Sequence, residues 1–254
     1  MSGPALRAQA AALTHEGRVR EQNEDSFFSG ADFGLWSVAD GMGGHEHGEW
    51  ASARVIGEVG RPLPEGGFEP ARTEVAERIH RANAAIFAEA QARGTQMGTT
   101  VVALLVEDRR FAVLWVGDSR VYLLRDGLLH QLSKDHSQVQ EMVDRGLLAE
   151  TEARAHPMGH VLARAVGVSA AVAVDVVEDE VEAGDTFLLC SDGLHGYLSD
   201  GEICALLACH SPDAAARGLI DLTLERGAPD NVTAIAVRFL EPTLLALPQG
   251  AHHG

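Results

Sequence analysis

Four apolar segments of this chain begin or end on an aspartate set beside Gly, Ser or Asn. Leu35–Asp40 runs into Gly41, Phe111–Asp118 into Ser119, and Thr186–Asp192 into Gly193, while Asp230-Asn231 opens the run Val232–Val237. A fifth acidic site, Asn23-Glu24-Asp25, precedes the first apolar pair. Short apolar runs bounded by such residues read as strands. Taken singly, each Asp-Gly or Asp-Asn is an ordinary turn former. Taken together they restrict the fold, because the carboxylates converge only if the strands share one edge of a sheet or sandwich.

Hairpin signals choose the kind of sheet. Val101–Val106 and Phe111–Val116 are separated by the polar Glu107–Arg110, and Asp126-Gly127 sits between two apolar arms. Two-residue connections of this type join antiparallel strands. Further strands are expected near Ser26–Phe28 and Gly34–Ala39, at Ala170–Val177, Thr186–Cys190 and Val232–Phe239. Two helical stretches follow the first strands. The second, about Pro70–Arg93, carries Val75, Ile79, Ala82, Ile86 and Ala90 at spacings of 3 and 4, the stripe of a helix facing a core. A helical piece is expected at Gln138–Leu148, an irregular excursion at Ala149–Val166, and a second helix pair at about Asp200–Cys209 and Asp213–Arg226. The order implies antiparallel sheets packed face to face with helices outside.

The 254 residues carry a net charge of −17, which speaks against a nucleic-acid backbone or an anionic membrane as partner. The stretch between Arg164 and Arg217 holds ten acids and no Lys or Arg, and apart from Asp192 it reads as a solvated face. The longest apolar run, Ile203–Cys209, has seven residues against about 20 for a membrane span. With no apolar leader at the N-terminus, the expected location is cytoplasmic. Three cysteines without CxxC spacing read as small buried hydrophobes. Six positions after them stand Gly196, His210 and Ala215, so no cysteine-phosphatase Arg follows. Ser133, not Gly, precedes the only Lys, which excludes a P-loop.

Several ionised carboxylates within about 4 Å repel by roughly 4 kcal/mol per pair at an effective dielectric of 20, so such a cluster needs cations. Oxygen-only ligands suit hard ions such as Mg²⁺ or Mn²⁺. Two such ions can activate water and hold a phosphoryl group. An Arg fork is then the best match to the phosphate, and Arg20, five residues before Asp25, is the candidate. A surface Arg is the alternative.

Seven segments carry a resemblance: Gly17–Phe27, Ser37–Ser52, Gly98–Val106, Trp115–Gly127, Leu132–Ser137, Leu188–Leu194 and Asp230–Val237. In this order they resemble the motifs of the PPM-type (protein phosphatase 2C-like) metal-dependent serine/threonine phosphatases, bacterial branch. The resemblance implies an α+β, four-layer α-β-β-α sandwich over 14–240, with a lead-in at 1–13, a flap at about 138–166 and a loose tail at 241–254. It implies hydrolysis of phosphoserine and phosphothreonine in proteins by a hydroxide activated between two Mn²⁺ or Mg²⁺ ions, with a third ion as an option. Asp40 would bridge the ions, the Gly41 carbonyl would bind one, and Asp192 and Asp230 would ligate directly. Glu24 and Asp25 would act at or through coordinated waters, Asp118 would hold the third ion, and Arg20 would bind phosphate.

Eukaryotic members place a His acid directly after the bridging Asp-Gly, where this chain has Met42. His45 is the nearest replacement as acid, with a water on a third ion, or a merely structural His45 at a helix start, as alternatives. The implied partners are phosphoproteins and an opposing Hanks-type kinase, with the chain a monomer and no nucleic acid or membrane insertion involved. Two rival readings remain: an inactive phosphoprotein-binding relative, and a metallophosphoesterase of small phosphate esters.

Overall fold

The computed structural model describes residues 6–242 apart from 45, 154, 155 and 160. The chain runs through β1 (Arg7–His15), β2 (Asp25–Gly30), β3 (Leu35–Met42), α1 (Glu46–Val59), α2 (Phe68–Arg93), β4 (Gly98–Thr99), β5 (Val101–Glu107), β6 (Arg110–Val116), β7 (Arg120–Arg125) and β8 (Leu128–Gln131). It continues with α3 (Gln138–Asp144), α4 (Glu150–Ala153), β9 (Asp175–Glu180), β10 (Thr186–Cys190), α5 (Asp192–His195), α6 (Asp200–Cys209), α7 (Pro212–Glu225) and β11 (Val232–Leu240). One sheet has the order β1-β11-β10-β7-β8, the other β2-β3-β5-β6-β9, and their ladders are antiparallel.

Three apolar layers explain the four-layer stack. Alternation along each strand sends one side chain to each face of its sheet. On β5, Val102 and Leu104 enter the middle layer, whereas Val101, Ala103 and Leu105 enter the layer under α1 and α2. The middle layer is keyed by aromatic edges: Phe111 meets Phe187 at 5.1 Å between centroids, and Phe239 meets both Phe187 and Trp36 at 5.8 and 6.0 Å. The third layer packs α6 and α7 on the other sheet through Ile203, Leu207, Leu219 and Ile220. The helix stripe read from the sequence is the buried face of α2, with Val75, Ile79, Ala82 and Ile86 fully inaccessible.

Both hairpins form. Asp126 and Gly127 take φ of 50° and 76°, and Asp108 and Arg109 take 51° and 63°, so each pair of central residues is left-handed, as a two-residue hairpin demands. α6 opens on a capping box between Ser199 and Glu202, and α7 on a Ser211 cap followed by Pro212.

Four expectations change. The helix expected to Leu148 stops at Asp144, before Gly146 at φ 68°. The strand expected at Ala170–Val177 begins only at Asp175, because its partner β6 pairs from Trp115 back to Arg110 and residues 170–174 lie beyond that ladder. Much of the expected lead-in is β1, nine residues paired along β11. Asp185, expected on the solvated acidic face, is buried and takes two bonds from the Arg125 guanidinium at 2.9 and 2.6 Å. The expected tail from residue 243 onward lies outside the described residues. Among those residues, no helix is long and apolar enough to cross a membrane.

Candidate functional site

The acid-bearing strand ends meet. Asp25 opens β2 and faces Asp40 near the end of β3 in the ladder. Asp118 follows β6, Asp192 follows β10, and Asp230 precedes β11. Glu24, Asp40, Gly41, Asp118, Asp192, Asp230 and Arg20 line one cavity of about 1010 Å³. The flap and the segment after it also contribute to the lining, including the apolar Val161, Leu162, Val168 and Val172. Asp25 lies behind the cavity lining. His45 lies outside the described residues.

Glu24, Asp25, Asp40 and Asp118 are seated by polar neighbours outside the predicted site. Asp25 is buried, and its Oδ2 accepts from Ser191 Oγ at 2.8 Å and Thr233 Oγ1 at 2.6 Å. Thr233 has spent its proton there, so Thr14 donates to Thr233 and itself accepts from Asn23 Nδ2. A directed relay thus ties β1, β2 and β11 at this carboxylate. Asn231 is the second knot: its side chain donates to the Glu16 and Gln22 carbonyls and accepts from the Glu24 N–H at 2.8 Å. The Asp40 backbone is clamped by Thr99 and Thr100, and the Thr100 hydroxyl meets that of Ser119 at 2.7 Å beside Asp118. Apart from Thr14, these polar residues sit inside the quoted segments, but an isolated Ser, Thr or Asn in a strand carries no periodic signal. Only the three-dimensional pairing marks them.

The electrostatics favour a cation. Burial raises the Asp25 carboxyl to about 7, and its hydrogen bonds with Thr233 and Ser191 only partly oppose that. Loss of surrounding water, then the charges of Asp25, Asp192, Asp118 and Asp230, hold Asp40 well above the usual carboxylate range. Burial and Asp192 do the same to Asp118. Desolvation and like charge both disfavour ionised carboxylates, and a bound cation reverses both. Asp25 Oδ1 is moreover buried with no hydrogen-bond partner. The acids line a shared cavity without closing on one point: among the described residues no three His, Cys, Asp or Glu are gathered tightly enough to grip an ion by themselves. The donor chemistry fits hard divalent ions bound partly through water. Arg20 stands exposed at the rim, with Nη2 bonded to Asp230 Oδ2 at 2.9 Å.

The family model for protein phosphatase 2C matches residues 14–217. The chain is 39% identical over 237 residues to the serine/threonine protein phosphatase PstP of Mycobacterium tuberculosis, a match covering 92% of this chain and 46% of that one. It therefore spans about half the length of that relative. It is 34% identical over 238 residues to the serine/threonine phosphatase stp of Listeria monocytogenes, covering 88% of this chain and 93% of the relative. A solved structure of the PstP catalytic domain in complex with two manganese ions matches with a TM-score of 0.84 at 37% identity, over 93% of this chain and 100% of that one.

Proposed function

Because this chain belongs to the protein phosphatase 2C family, we propose that it hydrolyses phosphoserine and phosphothreonine in proteins with the help of divalent metal ions. The observation that carries this reading is the convergence of Glu24, Asp40, Asp118, Asp192 and Asp230 on one cavity with Arg20 at its rim. Asp40, Asp192, Asp230 and the Gly41 carbonyl would hold two ions, Glu24 and Asp25 would orient coordinated water, and Asp118 with Asp192 would hold a third. The chemistry such ions supply is Lewis acidity, which lowers the pKa of water and neutralises phosphoryl charge. Mn²⁺ is the ion named for the PstP catalytic domain.

Arg20 would leave Asp230 for the phosphate, to which its fork can donate two bonds. The apolar flap wall at Val161, Leu162 and Val168 gives the cavity room and surface for a polypeptide beyond the phosphate itself, which favours a phosphoprotein over a small ester. His45 is the proposed proton donor to the leaving alkoxide. A Hanks-type kinase is the proposed source of the phosphoproteins.

Arg20→Ala is expected to lower kcat/KM on a phosphothreonine peptide by roughly 10- to 100-fold, the loss of one or two charge-assisted hydrogen bonds. Mn²⁺ affinity should hold or rise, since Asp230 loses a competing cation. Unchanged kcat/KM would remove Arg20 from the site. His45→Ala should lower turnover of the peptide by about 10²-fold or more but spare an activated aryl phosphate, whose leaving group needs no proton. Equal losses on the two substrates would end the acid assignment.

A further inference from the structure

His136 lies outside the set of residues assigned above, yet it hydrogen-bonds both the residue before Asp118 and a flap residue of the cavity lining. It is 9% exposed and stacks on the Trp115 ring at 6.1 Å. Its backbone N–H donates to the Gly117 carbonyl at 2.9 Å, and the Gly117 N–H donates back to its ring Nδ1 at 3.0 Å. Gly117 directly precedes Asp118. It sits at φ 109°, and a Cβ there would lie 2.6 Å from Thr100, so this backbone has little freedom of its own.

The other side of His136 faces the flap. Its carbonyl accepts from the Ala163 N–H at 2.8 Å. Its ring Nε2 lies 3.3 Å from Asp175 Oδ2, while Arg164 Nη1 donates to Asp175 Oδ1 at 2.6 Å. Ala163 and Arg164 both line the cavity.

These bonds allow one tautomer. Nδ1 accepts from Gly117, so Nε2 carries the proton and donates it to Asp175. Arg164, whose Nη1 is 3.2 Å from Nε2, serves the carboxylate rather than the ring. Burial first, then the Arg164 charge, lowers the His136 pKa, against the opposing pull of Asp175 and Asp135. With Nδ1 accepting and Nε2 donating, the neutral imidazole holds both bonds at once.

We propose that His136 is a positioning residue that couples the flap to Asp118. The ring fixes the Gly117 amide only while Asp175, itself held by Arg164, keeps its far nitrogen in place, so a displaced flap loosens the peptide next to Asp118. The inference rests on the proposed role of Asp118, but its test does not require activity.

Amide hydrogen exchange would be measured on the metal-free protein, wild type against Asp175→Ala. Among the described residues Asp175 has no hydrogen bond to Gly117, and it meets the cavity lining through Arg164. The expected result is faster exchange at both the Ala163 and Gly117 amides, by roughly tenfold, the equivalent of one lost buried hydrogen bond. His136→Asn keeps an acceptor near the Nδ1 position and removes the reach to Asp175. It should therefore speed exchange at both amides, as Asp175→Ala does, and protection kept at Gly117 would overturn the coupling. Faster exchange at Ala163 with Gly117 unchanged in Asp175→Ala would overturn the coupling, as would no change at either amide. Mn²⁺-dependent phosphate release by the wild type, assayed in parallel, separates failure of this inference from failure of the proposed function.

Discussion

Asp40→Asn is expected to lower Mn²⁺-dependent phosphate release from a phosphothreonine peptide by more than about 10²-fold. Loss of a partner one shell away from a metal typically costs 10- to 100-fold, and removal of the carboxylate proposed to bridge the ions should exceed that. The same substitution should stabilise the metal-free protein. Asp40 is flanked by the charges of Asp25, Asp192, Asp118 and Asp230, and its carboxyl is held well above the usual range. A carboxyl raised in the folded state makes ionisation at neutral pH a cost to folding, and that cost shrinks as pH falls below the folded value and is gone below the unfolded one. Asn has no charge to suppress. Thermal unfolding in chelator should therefore show a higher Tm for Asp40→Asn than for the wild type, and added Mn²⁺ should raise the wild-type Tm far more than the variant's. A wild-type response to Mn²⁺ in the variant would show that Asp40 does not bridge the ions.

Gly193→Ala is expected to cost about 1–3 kcal/mol or more of stability, the range for forcing atoms into a filled space. A Cβ at Gly193 would stand 1.9 Å from the Asn231 carbonyl oxygen and 3.0 Å from its carbon. Neither is a flexible side chain that can swing away, so α5 and the loop before β11 must separate. These two segments carry Asp192 and Asp230. A shift of about 1 Å in a catalytic constellation can cost 10²-fold, so turnover should fall out of proportion to stability. Urea unfolding gives the first quantity and the peptide assay the second. Wild-type values for both would show that the approach of α5 to β11 does not set the distance between the two carboxylates.

Much of this site is legible from sequence because its acids sit at turns that end apolar runs. Asp40, Asp118, Asp192 and Asp230 announce themselves by position, and the hairpins at 108–109 and 126–127 force the antiparallel order that brings them together. The strand β1 was harder to see. Its sequence RAQAAALTH is rich in Ala, a poor strand former, and its place is set by β11 and α7 rather than by its own preference. Asp185 misled for a related reason. It lies in an acidic run, and only the fold brings Arg125, sixty residues away, onto it. Asn231, Ser191 and Thr233 were within reach as members of quoted motifs, but their roles depend on which strands become neighbours.

The most direct test of metal-dependent hydrolysis is phosphate released from a phosphothreonine peptide in Mn²⁺, after full chelation, and after Mn²⁺ is restored. The expected result is release that stops on chelation and returns with the metal, with Asp192→Ala inactive throughout. Release that survives chelation, or that Asp192→Ala retains, would contradict it.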